Sequence, residues 1–124
     1  MSSSWLLVAT GGAAGAAARY LLDRAIAVRQ NGPFPLGTLV INVSGSMGLG
    51  LVLGLAAAHR IPDGVVTWTG TGFLGAYTTF STFTFETLRL LEDGAWRYAA
   101  LNLLLSGPLS FTGALVAFLA VRGS

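Results

Sequence analysis

Four long apolar stretches, divided by short runs of Pro, Gly and charge, constrain this chain more than any other feature. A helix needs about 20 apolar residues to cross a bilayer. Four stretches reach that length, so the sequence predicts spans over approximately 5–27, 37–58, 65–91 and 98–121, in a single domain covering 1–124. The breaks are Arg29-Gln30-Asn31-Gly32-Pro33-Phe34-Pro35, His59-Arg60-Ile61-Pro62-Asp63-Gly64 and Glu92-Asp93-Gly94. Pro and Gly end the first two spans, and charges end the last two. The first stretch reads as a span, not a cleaved signal, because no basic leader precedes it. Such a chain is expected to be all-α, an up-and-down bundle with both ends on one side of the membrane.

Composition narrows the classes further. Only 10% of the 124 residues are charged, against about 25% in soluble domains, too few to cover a soluble exterior. All seven basic residues are arginine, and the net charge is +2 with no basic cluster, which argues against a nucleic-acid partner. There are no cysteines, so disulfides and thiolate metal sites are excluded. Arg24, Arg29, Arg89 and Arg97 fall on one predicted side, Arg60 and Arg122 on the other. Four against two is a shallow bias under the positive-inside rule, compatible with insertion in both directions.

Small residues recur at helical spacing. Gly11 and Gly15 are four apart, as are Ser46, Gly50 and Gly54. Such stripes let helix backbones approach closely in lipid. They suit packing within one chain, but four helices make a thin bundle, so some of these faces are expected to meet a second copy.

Polar residues inside the spans carry the candidate chemistry. The densest run is Gly72-Phe73-Leu74-Gly75-Ala76-Tyr77-Thr78-Thr79-Phe80-Ser81-Thr82-Phe83, which holds hydroxyls and aromatics where lipid-facing sequence would be uniformly apolar. In hydrocarbon such a run must satisfy its polar groups internally, which suits a passage or an ion site. Phe80 and Phe83 share a helical face. They are either core, or ring edges of positive potential toward an anion, interleaved with Ser81 and Thr82. Gly75 to Thr79 reads two ways: a helix interruption exposing carbonyls to a monovalent cation, or an intact helix with hydroxyls bonded to the preceding turn.

Elsewhere, Asn42 in the second span is interhelical glue or a donor to an ion, with Thr38 and Ser44 nearby. In the fourth span Asn102, Ser106 and Ser110 form a polar stripe around Pro108, which is expected to bend the helix. Arg19 and Asp23, four apart, are an ion pair or a vestibule charge; Glu86 sits at the far mouth or in water. No nucleophile has a base and the single His59 lies in a loop, so an enzyme is not expected.

The run from Gly72 to Phe83 closely resembles the signature of the Fluc fluoride-channel family, also called CrcB. Gly11-Gly12-Ala13-Ala14-Gly15-Ala16-Ala17-Ala18-Arg19-Tyr20 and Gly37-Thr38-Leu39-Val40-Ile41-Asn42-Val43-Ser44-Gly45 support the likeness, which spans nearly the whole chain. The resemblance implies an antiparallel, dual-topology homodimer of four-span subunits, each broken in the third span, in a bacterial inner membrane. It implies two fluoride pathways lined by Phe80, Phe83, Asn42, Ser106 and Ser110, with Ser81 and Thr82 alongside and Arg19 near a vestibule. It also implies a structural sodium ion held by the Gly75 and Thr78 carbonyls. The chain departs from the family at Gly75-Ala76, where Gly-Gly is common; alanine narrows the backbone freedom of that cation site.

Two other readings compete. A small multidrug-resistance-type transporter has similar length, but needs a carboxylate in the first span, where only Asp23, late and beside arginines, is available. A non-transporting assembly subunit explains the small-residue stripes but not the polar centre of the third span.

Overall fold

The computed structural model describes residues 4–122, and among these the chain is entirely helical or looped. The elements are α1 (Ser4–Ala27), α2 (Leu36–Ala57), α3 (Asp63–Val66), a π-helix (Thr67–Leu74), α4 (Gly75–Tyr77), α5 (Phe80–Glu92) and α6 (Trp96–Arg122). Three of them, α1, α2 and α6, are long and apolar enough to cross a membrane. The third apolar stretch is not one helix. α3, the π-helix and α4 run on from one another, and the chain then extends at Thr78 (φ −79°, ψ 157°) and Thr79 (φ −148°, ψ 116°) before α5 begins.

Helix ends follow local chemistry. After α5, the Gly94 N–H bonds the Leu91 carbonyl and the Ala95 N–H bonds Leu90, with Gly94 at φ 77°. This is the reverse turn that glycine closes most readily. The same pair of bonds ends α2, from His59 to Ala56 and from Arg60 to Leu55, but there His59 occupies the left-handed region at φ 58°. At the end of α1 the Arg29 guanidinium donates to the Ala25 carbonyl at 3.0 Å, satisfying one of the last carbonyls.

Packing is backbone against backbone. A Cβ on Gly11 would strike the Trp68 carbonyl, and one on Gly15 the Phe73 carbonyl, so both glycines hold α1 against the π-helix. Gly72 answers from the other side, its Cβ position 3.1 Å from the Leu7 and Val8 carbonyls. Gly50 and Gly54 lie in the same way on Ala114 and Phe118 of α6. Gly11, Gly15, Gly50 and Gly54 are therefore buried within this chain, and only Ser46 of the predicted stripes faces a cavity. Gly15→Val should force α1 off the π-helix, lowering stability by about 1–3 kcal/mol. The midpoint of detergent-induced unfolding reads this out; Gly32→Val, with open space around it, is the matched control.

The interior and exterior are inverted relative to a soluble protein. Buried side chains include Thr38, Thr87, Asn102 and Ser106, whereas Leu21, Val28, Leu104 and Phe111 are exposed. Soluble monomers rarely present so continuous an apolar surface; a lipid-facing one requires it. This is a multi-pass membrane protein. An aromatic ladder braces it, Trp68 on Phe73 and Phe73 on Tyr77, each pair 5.9 Å between ring centres. The Trp68 Nε1–H donates to Thr10 Oγ1 at 3.1 Å, and the Tyr77 hydroxyl meets Ser44 Oγ at 2.9 Å, so the ladder ties α1 to α2.

Candidate functional site

The break at Thr78 and Thr79 would strand backbone groups inside the protein without a partner from elsewhere. Asn42, on α2, supplies it. Its Oδ1 accepts the Thr79 N–H at 2.8 Å and its Nδ2 donates to the Thr79 carbonyl at 2.9 Å. Thr79 in turn caps α5, its Oγ1 accepting the Thr82 N–H at 3.2 Å. Asn42 thus acts as interhelical glue: its amide oxygen and one Nδ2 hydrogen hold the break, and the other Nδ2 hydrogen remains.

The clamp also frees a carbonyl. In an uninterrupted helix the Thr79 N–H would bond Gly75; instead it goes to Asn42, while Thr78 still bonds Leu74. Gly75 itself stays helical at φ −60°, ψ −39°. The interruption sits at the β-branched pair, not at the glycine. Thr78 Oγ1 bonds back to the Leu74 carbonyl at 3.0 Å, the bonding expected of an intact helix, yet the backbone leaves helical form at that residue.

Around the break lies an open cleft of about 550 Å³. Asn42, Gly75, Thr78, Phe80, Phe83, Ser106 and Ser110 all border it, drawn from α2, the broken segment and α6. Among the described residues no charged side chain lines it. The Phe80 and Phe83 rings are 6.0 Å apart and tilted by 42°. Phe80 is 79% exposed, far more than a core ring. Ser110 Oγ is buried and has no hydrogen-bond partner among the described residues. Buried hydroxyls are normally satisfied, so an unpaired one beside a cleft marks a place for a polar occupant.

A smaller pocket of about 150 Å³ gathers Arg19, Asp23, Thr38, Thr79 and Thr82. Thr79 borders both cavities, which places the Asn42 clamp between them. Arg19 Nε is buried without a partner; the ion pair that its spacing from Asp23 suggests does not form among the described residues. Asp23 Oδ1 abuts Gly37 in the first turn of α2, where the positive end of the helix dipole favours a carboxylate. Ser81 is exposed, outside the large cleft, and Thr82 belongs to the smaller pocket. Pro108 is accommodated inside a continuous α6.

Two residues take places at or beside the site that sequence reasoning did not give them, Ser46 having been read only as part of a packing stripe. Ser46 lines the cleft one helical turn from Asn42, and that four-residue spacing was available to find it. Thr87 links α5 to Asn102 at 2.8 Å, a contact no local spacing reveals.

Helices of membrane length around an uncharged, largely apolar cleft bordered by an amide and several hydroxyls define a multi-pass membrane protein. Residues 6–120 match the family described as CrcB-like protein, Camphor Resistance (CrcB), and the chain belongs to that family. It is similar to the "Fluoride-specific ion channel FluC 1" of Frankia casuarinae, 52% identical over 104 residues, covering 80% of this chain and 81% of that one. "Fluoride-specific ion channel FluC 2" of Moorella thermoacetica is 51% identical over 77% of this chain and 78% of its own. "Fluoride-specific ion channel FluC" of Shewanella frigidimarina is 46% identical, with 84% of each chain covered. These relatives are named as ion channels and not as enzymes.

Proposed function

We propose that the protein is a passive, fluoride-selective channel of a bacterial inner membrane. One observation carries the reading: five residues from three distant segments, Asn42, Phe80, Phe83, Ser106 and Ser110, border a single cleft without a fixed charge. Fluoride is small and strongly hydrated, so a selective path must replace its shell with close donors. The spare Asn42 N–H, the serine hydroxyls and the positive edges of the two rings supply such a set without trapping the anion on a cation. Arg19 in the smaller pocket is the vestibule charge, with Thr82 lining the same pocket and Ser81 next to it in the chain. Hydrofluoric acid crosses membranes neutral and dissociates inside, and an inside-negative potential then drives the trapped anion out.

In this reading α3 to α5 together make the third of four spans, and two copies associate antiparallel with dual topology. The exposure of Phe80 supports a second copy closing the open side of the cleft. The site also fits a structural sodium ion. The Gly75 carbonyl is released by the Asn42 clamp, Gly75 and Thr78 both border the cleft, and carbonyl oxygens suit a hard monovalent cation. When bound, that ion would fix the broken segments of the two copies together.

Purified protein in vesicles loaded with potassium fluoride should release fluoride to an electrode once valinomycin balances charge, and release no chloride under the same conditions. Vesicles that retain their fluoride would end this reading.

A further inference from the structure

Asn102 is fully buried between α5 and α6. Its Oδ1 accepts from Ser106 Oγ at 3.0 Å, and its Nδ2 donates to Thr87 Oγ1 at 2.8 Å. The Thr87 hydroxyl passes the chain on, donating to the Phe83 carbonyl at 2.8 Å. The direction of these three bonds has a consequence for the cleft. A serine hydroxyl has one hydrogen, and that of Ser106 points at Asn102. Ser106 therefore turns only lone pairs toward the cleft it borders, the wrong sign for an anion.

An amide presents oxygen on one side and NH2 on the other, with nearly the same shape. Both neighbours of Asn102 are hydroxyls, which donate or accept by rotating. Turning the amide over leaves Thr87 donating to Oδ1, Nδ2 donating to Ser106 Oγ, and the Ser106 hydrogen free for the cleft. Asn42 has no such freedom, because its two partners are the N–H and carbonyl of Thr79, whose polarity is fixed. We infer that Asn102 is a positioning residue, a polarity switch that hides the Ser106 donor in the empty cleft and offers it when fluoride enters; this rests on the fluoride reading above.

Counting bonds decides which arrangement holds in each state. The observed one has three; the turned one has two, until an anion takes the Ser106 hydrogen and restores the third. The Phe83 carbonyl is left unpaired in neither, since it keeps the backbone N–H of Thr87 within α5. Ser110 Oγ, one turn further along α6 and unpartnered, borders the same cleft, so the entering ion meets two hydroxyls. Anion-bound hydrogen bonds are the stronger kind, which favours the turned arrangement once the cleft is filled.

Nitrogen-edited nuclear Overhauser spectra of the full chain in detergent test this directly. The Asn102 side-chain amide protons, assigned by their loss in Asn102→Asp, should contact the Thr87 methyl in sodium chloride and the Ser106 β-protons in saturating sodium fluoride. Amide contacts that do not change, while Ser106, Ser110 and Phe83 signals respond to fluoride, overturn the switch alone. No response of any of these signals overturns the fluoride reading and the switch with it. A flux arm follows from the same count. Thr87→Val removes two bonds from the hidden arrangement and one from the offered arrangement, so half-saturating fluoride should fall about fivefold, one net hydrogen bond. That fall should vanish in the Ser106→Ala background, as a merely structural role for Thr87 would not require; a fall that persists there counts against the switch.

Discussion

Asn42→Leu should remove the structural basis of the break and the ion flux together. The substitution keeps bulk but leaves the Thr79 N–H and carbonyl without the partners they have at 2.8 and 2.9 Å. A buried backbone group left unpaired costs about 1–3 kcal/mol, and for these two part-buried groups together a loss of about 1–3 kcal/mol is expected in detergent-induced unfolding. Fluoride release from vesicles should drop to background, since the Gly75 carbonyl, α5 and both phenylalanines are aimed by the same clamp. Ser44→Ala leaves the clamp intact, removing the Tyr77 contact and the bond that Ser44 Oγ donates to the Ile41 carbonyl at 3.2 Å, and should cost about 0.5–1.5 kcal/mol. If Asn42→Leu were as stable as the parent chain, the clamp would not be what holds the break open.

The second large effect concerns the rings. Phe83→Leu keeps an apolar side chain but removes the ring edge, and should slow fluoride release at least about tenfold. Phe80→Leu should do the same with almost no change in the stability of a single chain, because that ring is mostly exposed. Flux retained in both variants would mean that apolar bulk alone shapes the cleft and that the aromatic edges contribute nothing to fluoride.

Much of this was legible in residue order, and the reasons differ by element. α1, α2 and α6 announce themselves through length and apolarity, properties of contiguous sequence. The polar run from Gly72 to Phe83 shows that the third segment is unusual, and Gly75 to Thr79 marks the window in which it opens. Within that window the chain opens at Thr78 and Thr79 because Asn42, 37 residues earlier, is there to receive Thr79. No local propensity encodes a partner that distant. The π-helix was equally hidden, and it is seated where Gly70 and Gly72 are buried. The small-residue stripes were visible, but which neighbour they touch was not: Gly11, Gly15, Gly50 and Gly54 lie against this chain's own helices. Likewise Arg19 and Asp23 have the right spacing to pair, yet Asp23 turns to Gly37.

Eight residues of wide helix over Thr67–Leu74 store slack ahead of the broken segment. Each of its rings encloses one residue more than an α-helical ring. Deleting a single position there would let the coil tighten to ordinary pitch, and everything downstream would swivel about the axis. Thr78, Thr79 and the phenylalanines would then arrive on another side, out of reach of Asn42. Spacing in that stretch, more than the identity of any one side chain in it, is what keeps the polar run pointed inward.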